Sequence, residues 1–249
     1  MPQKTLLQPT LDLVNQYLYL KFNGKTVRTP YFNNKRTRVR GALRVLVGKG
    51  SIIEIKEELK ILSLREKVDL RNFSEEEITK FIINNNIGID CSGLAYYILD
   101  TELKARGKKP LKKYLKFPHV TNPLRKLLIK LRPAENCDVK TLADNRNSIE
   151  INLKDIQPGD IIILLNAGLR HDYNHVMIIT KIEHPTINYV HSFQYSEDGK
   201  YNHGVREEQI EIIDPNLPIL KQHWKEEKMK EYIKTAEKIT TKRLNVLQK

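Results

Sequence analysis

The chain has 249 residues, 40% hydrophobic and 29% charged, a globular rather than disordered composition that is long enough to enclose a substantial core. Forty-three Lys and Arg against 30 Asp and Glu give a formal net charge of +13, which points to a polyanionic partner: nucleic acid, an anionic glycan polymer or a membrane surface. No apolar run approaches the ~18 residues of a membrane span, no secretory signal is visible, and the two cysteines, Cys91 and Cys137, are too few for a disulfide scaffold.

Residues 1–50 read as an extended or mixed basic segment, with Tyr17, Tyr19 and Phe22 alternating before Gly24. Between Leu13 and Ile53 stand nine basic residues, Lys35, Arg36, Arg38 and Arg40 among them, and no acid. Tyrosines in such a setting can stack on nucleic-acid bases, although an edge strand with solvated cations is the simpler reading. Ser51 with Glu54, and Ser74 with Glu77, form capping-box patterns that predict two helices. A third helix is predicted from about Cys91 to Lys104, with Leu94, Tyr97 and Ile98 on one face.

A second acid-free stretch follows, Leu103–Ala134, with eleven basic residues and prolines at 110, 118, 123 and 133. A short helix, LRKLLIKL, fits between the last two prolines. After Asn147 the segments IEINL, DIIILL, HVMIITKI, INYVHSF and VREEQIEII are short, β-branched and separated by turn signals, which predicts an antiparallel meander. The tail from Gln222 is rich in Lys and Glu and reads as a surface helix, with Trp224, Met229 and Tyr232 packed on the core. Helices first and sheet second make the class α+β.

The chemistry concentrates at Gly88-Ile89-Asp90-Cys91-Ser92-Gly93-Leu94. A cysteine at a helix start meets free backbone N–H groups and the positive end of the dipole, which favour the thiolate. Asp90 and Ser92 can occupy the remaining donors, and Gly93 leaves room beside the sulfur. A thiol nucleophile also needs a base, and the base an orienter. A hairpin centred on His184 sets His191 opposite Met177. His175 and His191 then share a face as diagonal neighbours, roughly 7–8 Å apart, so that one imidazole can accept the proton and the other fix its tautomer. His171 and His175 have a spacing compatible with zinc, but no paired cysteines accompany them. His119, His184, His203 and His223 read as surface or loop residues, and Cys137 as structural.

In order, Asp90-Cys91-Ser92-Gly93-Leu94, Leu153-Lys154-Asp155-Ile156-Gln157-Pro158-Gly159-Asp160-Ile161, Asn174-His175-Val176 and Val190-His191-Ser192 resemble the signature blocks of NlpC/P60 cysteine peptidases. The resemblance implies a papain-like core, with a catalytic helix on an antiparallel sheet, and cleavage of amide bonds in cell-wall peptides next to D-glutamate. It implies Cys91 as nucleophile, His175 as base, His191 as polar third member and the Cys91 N–H as an oxyanion donor. Asp90, Ser92 and Tyr31 are the candidate binding residues. Tyr31 stands in for a tyrosine that the family carries just before the cysteine. The family's small residue two after the histidine is Met177 here, which would narrow the cleft.

The expected organisation is a basic N-terminal extension with helices over 1–79, a catalytic core over 80–215 with a basic insertion at about 104–134, and a C-terminal helix over 216–249. The expected function is a cysteine hydrolase acting on a peptidoglycan-like peptide, with no cofactor and no metal. An inactive scaffold that binds nucleic acid or anionic glycan, and a thioester acyltransferase, are the alternatives. Location is cytoplasmic by default, with export by another route left open.

Overall fold

The computed structural model describes residues 3–34, 43–117, 120 and 122–248; Lys35, Arg36, Arg38, Arg40, Pro118 and His119 lie outside them. The chain opens with β1 (Lys4–Thr5), α1 (Gln8–Leu18) and a hairpin of β2 (Leu20–Phe22) and β3 (Lys25–Val27). The helices α2 (Ile52–Arg65), α3 (Glu75–Asn84) and α4 (Cys91–Ala105) follow, then the shorter α5 (Pro123–Leu131), α6 (Pro133–Asn136) and α7 (Val139–Ala143). The second half holds β4 (Ser148–Glu150), β5 (Ile161–Ala167), β6 (Tyr173–Glu183), β7 (Thr186–Phe193), β8 (Gly204–Glu211), β9 (His223–Trp224), α8 (Met229–Thr235) and β10 (Lys238–Leu244).

Both capping boxes form. Ser51 and Ser74 accept from the N–H three residues on, while Glu54 and Glu77 reach back to the N–H of each serine. Each such cap stabilises its helix by about 1 kcal/mol. The alternation Tyr17, Tyr19, Phe22 does not mark one strand. Pro9 fits the first turn of α1, and Thr10, Val14 and Tyr17 make the buried stripe of that helix. Tyr17 is wholly buried and offers no face to a base, whereas Tyr19 is exposed.

The main sheet runs β4-β10-β5-β6-β7-β8-β9, antiparallel throughout, with β1 alongside β6. The apolar run of β5 is buried on both faces. Ile161 and Ile163 join the cluster of α4, and Ile162 and Leu164 join one with Met177, Tyr189 and Trp224. A strand covered on both sides needs such a continuous run. The segment over 1–79 does not stand apart, because Leu6, Val14, Ile55 and Leu59 share one cluster with Ile98, Leu99, Val176 and Val190.

The tail departs most from expectation. Residues 216–249 are not a surface helix, for β10 inserts between β4 and β5 and α8 spans only seven residues. The run Ile239-Thr240-Thr241 is β-branched, as a half-buried strand favours. Lys242 is buried and its Nζ donates to the Ala143 carbonyl and to Asn145 Oδ1, so its stem covers the sheet while its head finds partners. Arg243 of β10 pairs with Asp160 through Nε and Nη2, both at 2.8 Å, locking the Pro158-Gly159-Asp160 turn to the tail. Trp224, Met229 and Tyr232 are buried on the sheet face opposite α4.

Candidate active site

Cys91 opens α4. Asp90 is its N-cap and accepts from the Gly93 N–H at 2.6 Å. Ser92 Oγ donates to Asp90 Oδ1 at 3.1 Å. The buried Lys49 completes this cap, with Nζ at 2.9 Å from Asp90 Oδ1, 2.5 Å from Ser92 Oγ and 2.9 Å from the Cys137 carbonyl. Burial opposes the Lys49 charge, but the Asp90 carboxylate outweighs it and the lysine pKa is raised. Asp90 and Ser92 are therefore spent on the helix start and on Lys49. Gly93 likewise admits protein: a Cβ there would lie 3.0 Å from the Gly48 carbonyl oxygen and 3.1 Å from Lys49 Cδ.

The helix start does not yield a resting thiolate. Cys91 is 6% exposed, and burial pushes its thiol up to about 12, with the Asp90 carboxylate adding to the rise and Lys49 opposing it. The backbone at Val176 and Ser92 favours the anion, but its desolvation is the larger effect. Cys137 is fully buried and likewise raised to about 12, by burial. Both cysteines are free thiols.

His175 and His191 meet. His175 Nε2 lies 2.9 Å from His191 Nδ1, with ring centroids 5.1 Å apart. Both rings are buried on the sheet face away from α4, beside Phe193. Cys91 lies on the other side of β6, in the α4 cluster with Val176, the neighbour of His175, so the structure does not bring the thiol and the imidazole pair together. His175 Nδ1 is buried with no hydrogen-bond partner. Burial and the neighbouring His191 depress the His175 pKa well below its ordinary value, so this imidazole is neutral at pH 7.

The register behind this pair has two parts. Next to the turn, Glu183 pairs with Thr186 and Lys181 with Asn188, a hairpin centred between His184 and Pro185. A bulge between Ile179 and Lys181 then shifts the pairing, so that Ile178 faces Val190. Continued one step, that register sets Met177 opposite His191.

Glu226 extends the constellation. Its Oε2 accepts from the Tyr189 hydroxyl at 2.7 Å and lies 3.3 Å from His191 Nε2, within ion-pair distance though short of a well-aligned hydrogen bond. Arg206 Nη1 is 3.8 Å from Glu226 Oε1, and its Nη2 is 3.0 Å from Asp198 Oδ2. Burial alone would raise the Glu226 carboxyl, but His191 and the surrounding donors hold it at about 2. The carboxylate is thus a buried anion fixed behind His191.

Tyr31 arrives from sixty residues upstream. It pairs with Ile89 in a parallel bridge, and the Ile89 N–H donates to the Pro30 carbonyl at 3.0 Å. Its ring contacts Phe193 edge-on at 6.1 Å. Gly88 permits the approach, since a Cβ there would stand 2.4 Å from the Pro30 oxygen. His203 is buried rather than superficial, and its Nδ1 accepts from the Tyr31 N–H at 3.2 Å. Met177 is buried in the cluster opposite α4. His171 is exposed and bonds the Asn166 carbonyl through Nδ1 at 3.0 Å. Among the described residues no group of three His, Cys, Asp or Glu is arranged to hold a metal.

Sequence reasoning missed Lys49 and Glu226. Lys49 is one of nine cations in an acid-free stretch and carries no local signal. Glu226 lies 35 positions after His191 in a segment read as a surface helix. No protein-family model, curated protein or solved structure matches the chain.

Proposed function

We propose that the chain is a cysteine hydrolase of the NlpC/P60 type, an amidase or endopeptidase acting on cell-wall-type peptides. The observation that carries this reading is the buried, unpartnered Nδ1 of His175, whose other nitrogen is fixed on His191 and whose strand packs against the helix that Cys91 opens.

The tautomers follow from the network. The Glu226 carboxylate favours a proton on His191 Nε2, which leaves Nδ1 to accept. His175 Nε2 then donates, and its Nδ1 carries the lone pair. With the thiol near 12 and the imidazole depressed, the resting pair is neutral. The thiolate forms only as Sγ attacks the amide carbonyl and its proton reaches His175 Nδ1, a transfer that requires the buried imidazole to swing from its own face of β6 to the α4 side. The Cys91 N–H at the helix start donates to the oxyanion. As the C–N bond breaks, the imidazolium returns the proton to the leaving amine and leaves a thioester. Water, deprotonated by His175, then attacks the thioester, the C–S bond breaks to release the acid, and the imidazolium returns its proton to Sγ. General-base help of this kind contributes roughly 10²–10⁴-fold.

The raised thiol pKa favours a second reading, an inactive scaffold whose basic segments bind a polyanion. One experiment separates the two. The chain is incubated with cell-wall peptide fragments containing D-glutamyl amide bonds, and products are read by mass spectrometry. Cleavage by the wild type, lost in Cys91→Ala and His175→Ala, supports the hydrolase. No cleavage and no Cys91 acyl adduct overturns it. Formation of a new amide with an added amine assigns acyl transfer instead.

A further inference from the structure

The second acid-free stretch forms a surface that the chemistry above does not use. In α5, Leu124, Leu127, Leu128 and Leu131 are 74%, 57%, 58% and 66% exposed. Their spacing is i, i+3, i+4, i+7, one continuous stripe along a helix. Only Ile129 of this helix is buried, so α5 is held by one side chain while its leucines face outward.

Beside the stripe lies a groove of about 820 Å³. Six cations line it, Lys112, Lys113, Lys116, Lys126, Lys130 and Arg146, with no acid, over a floor that includes Leu115 and Ile129. Arg146 is 3.7 Å from Asp144. The five lysines are exposed, and none has an ion-pair partner among the described residues.

We infer that this insertion docks the protein on an anionic lipid bilayer, with headgroup phosphates in the lysine groove and the leucine stripe in the acyl boundary. Cations alone would suit any polyanion. The adjoining leucines select the membrane, because a nucleic acid or glycan gives them nothing to enter, whereas a bilayer interface takes up an apolar face flanked by Lys and Arg. The inference is independent of the hydrolase reading.

The test is co-sedimentation of the full chain with vesicles of phosphatidylcholine alone or with about 30 mol% phosphatidylglycerol. Binding is expected to the anionic vesicles, weakening with salt. Leu127→Ser with Leu128→Ser should lower that binding about tenfold. Lys126→Glu with Lys130→Glu should lower it at least about tenfold. The exposed pair Lys60→Glu with Lys234→Glu makes the same change in net charge elsewhere and should cost far less. All these side chains are exposed, and unaltered thermal unfolding verifies that the variants fold. A leucine variant that sediments like the wild type overturns the proposal. So does a distal lysine pair that costs as much as the local one, or failure of the wild type to bind anionic vesicles. Tight binding to DNA or heparin that survives loss of the leucines, without vesicle binding, assigns the patch to a soluble polyanion and equally overturns it.

Discussion

His175 Nε2 sits 2.9 Å from His191 Nδ1, and the far nitrogen of His191 lies 3.3 Å from Glu226 Oε2. Because a neutral imidazole has one donor and one acceptor, a charge at one end of this chain sets the proton at the other. In the proposed mechanism Glu226 thereby directs the His175 lone pair onto Nδ1.

Glu226→Gln should reverse that order. Its amide can donate to His191 Nε2, so that His191 Nδ1 carries the proton and His175 Nδ1 becomes a donor. Turnover of a cleavable peptide is expected to fall roughly 10²–10⁴-fold, the range for loss of a general base, with a smaller change in KM. Glu226→Asp should recover part of the loss. If both variants lose activity only in proportion to loss of folded protein, Glu226 is merely structural.

Cys91 alkylation should be slow at neutral pH. With both thiols pushed up to about 12 by burial, iodoacetamide labelling of the free protein is expected to climb through pH 9 and above, with no low-pH component. Cys91→Ser and Cys137→Ser assign the two rates. Rapid Cys91 labelling at pH 5–6 would instead reveal a preformed thiolate–imidazolium pair.

Lys49→Met should be severely destabilising. It leaves Asp90 buried beside Ser92 with no counter-charge, a loss worth about 3–5 kcal/mol. Adding Asp90→Asn removes the stranded charge while keeping a capping oxygen for the Gly93 N–H, and should restore much of the stability. Urea unfolding of the single and double variants measures the coupling.

Acid should destabilise the fold in two windows. The His175 pKa is depressed in the fold from an ordinary 6.5, so its contribution is present above pH 6.5 and is lost as pH falls below it. Glu226 is depressed from 4.5 to about 2, so its contribution is present above pH 4.5 and is lost between there and about 2. Melting temperature should therefore drop between pH 7 and 5 in the wild type, and less in His175→Gln. Glu226→Gln should flatten the curve below pH 4.5. Parallel curves for all three proteins would contradict the assignment.

Local rules carried much of the chain. Capping boxes placed α2 and α3, a short polar turn set Cys91 at the start of α4, and β-branched runs marked β5 to β8. Each depends on neighbours within a few positions, which the sequence displays directly. The tail defeated the same rules. Lys and Glu dominate its composition, yet β10 is held between β4 and β5 by pairing that only the assembled sheet supplies, and Lys242 and Arg243 find their partners about a hundred and about eighty positions away.

The sequence by itself determined that Cys91 heads a helix and that His175 and His191 occupy consecutive strands. Whether the imidazoles share a face was decided in the tertiary structure. The turn is centred between His184 and Pro185, and carried unbroken down the hairpin that register would set His191 opposite Ile178, one position out of step with His175. The bulge after Ile179 restores the parity, since one extra residue in a strand of period two exchanges its faces. Tertiary packing likewise decided the protonation state. A helix start favours a thiolate, but dehydration at the α4–β6 junction is the stronger effect, and only the folded chain creates it.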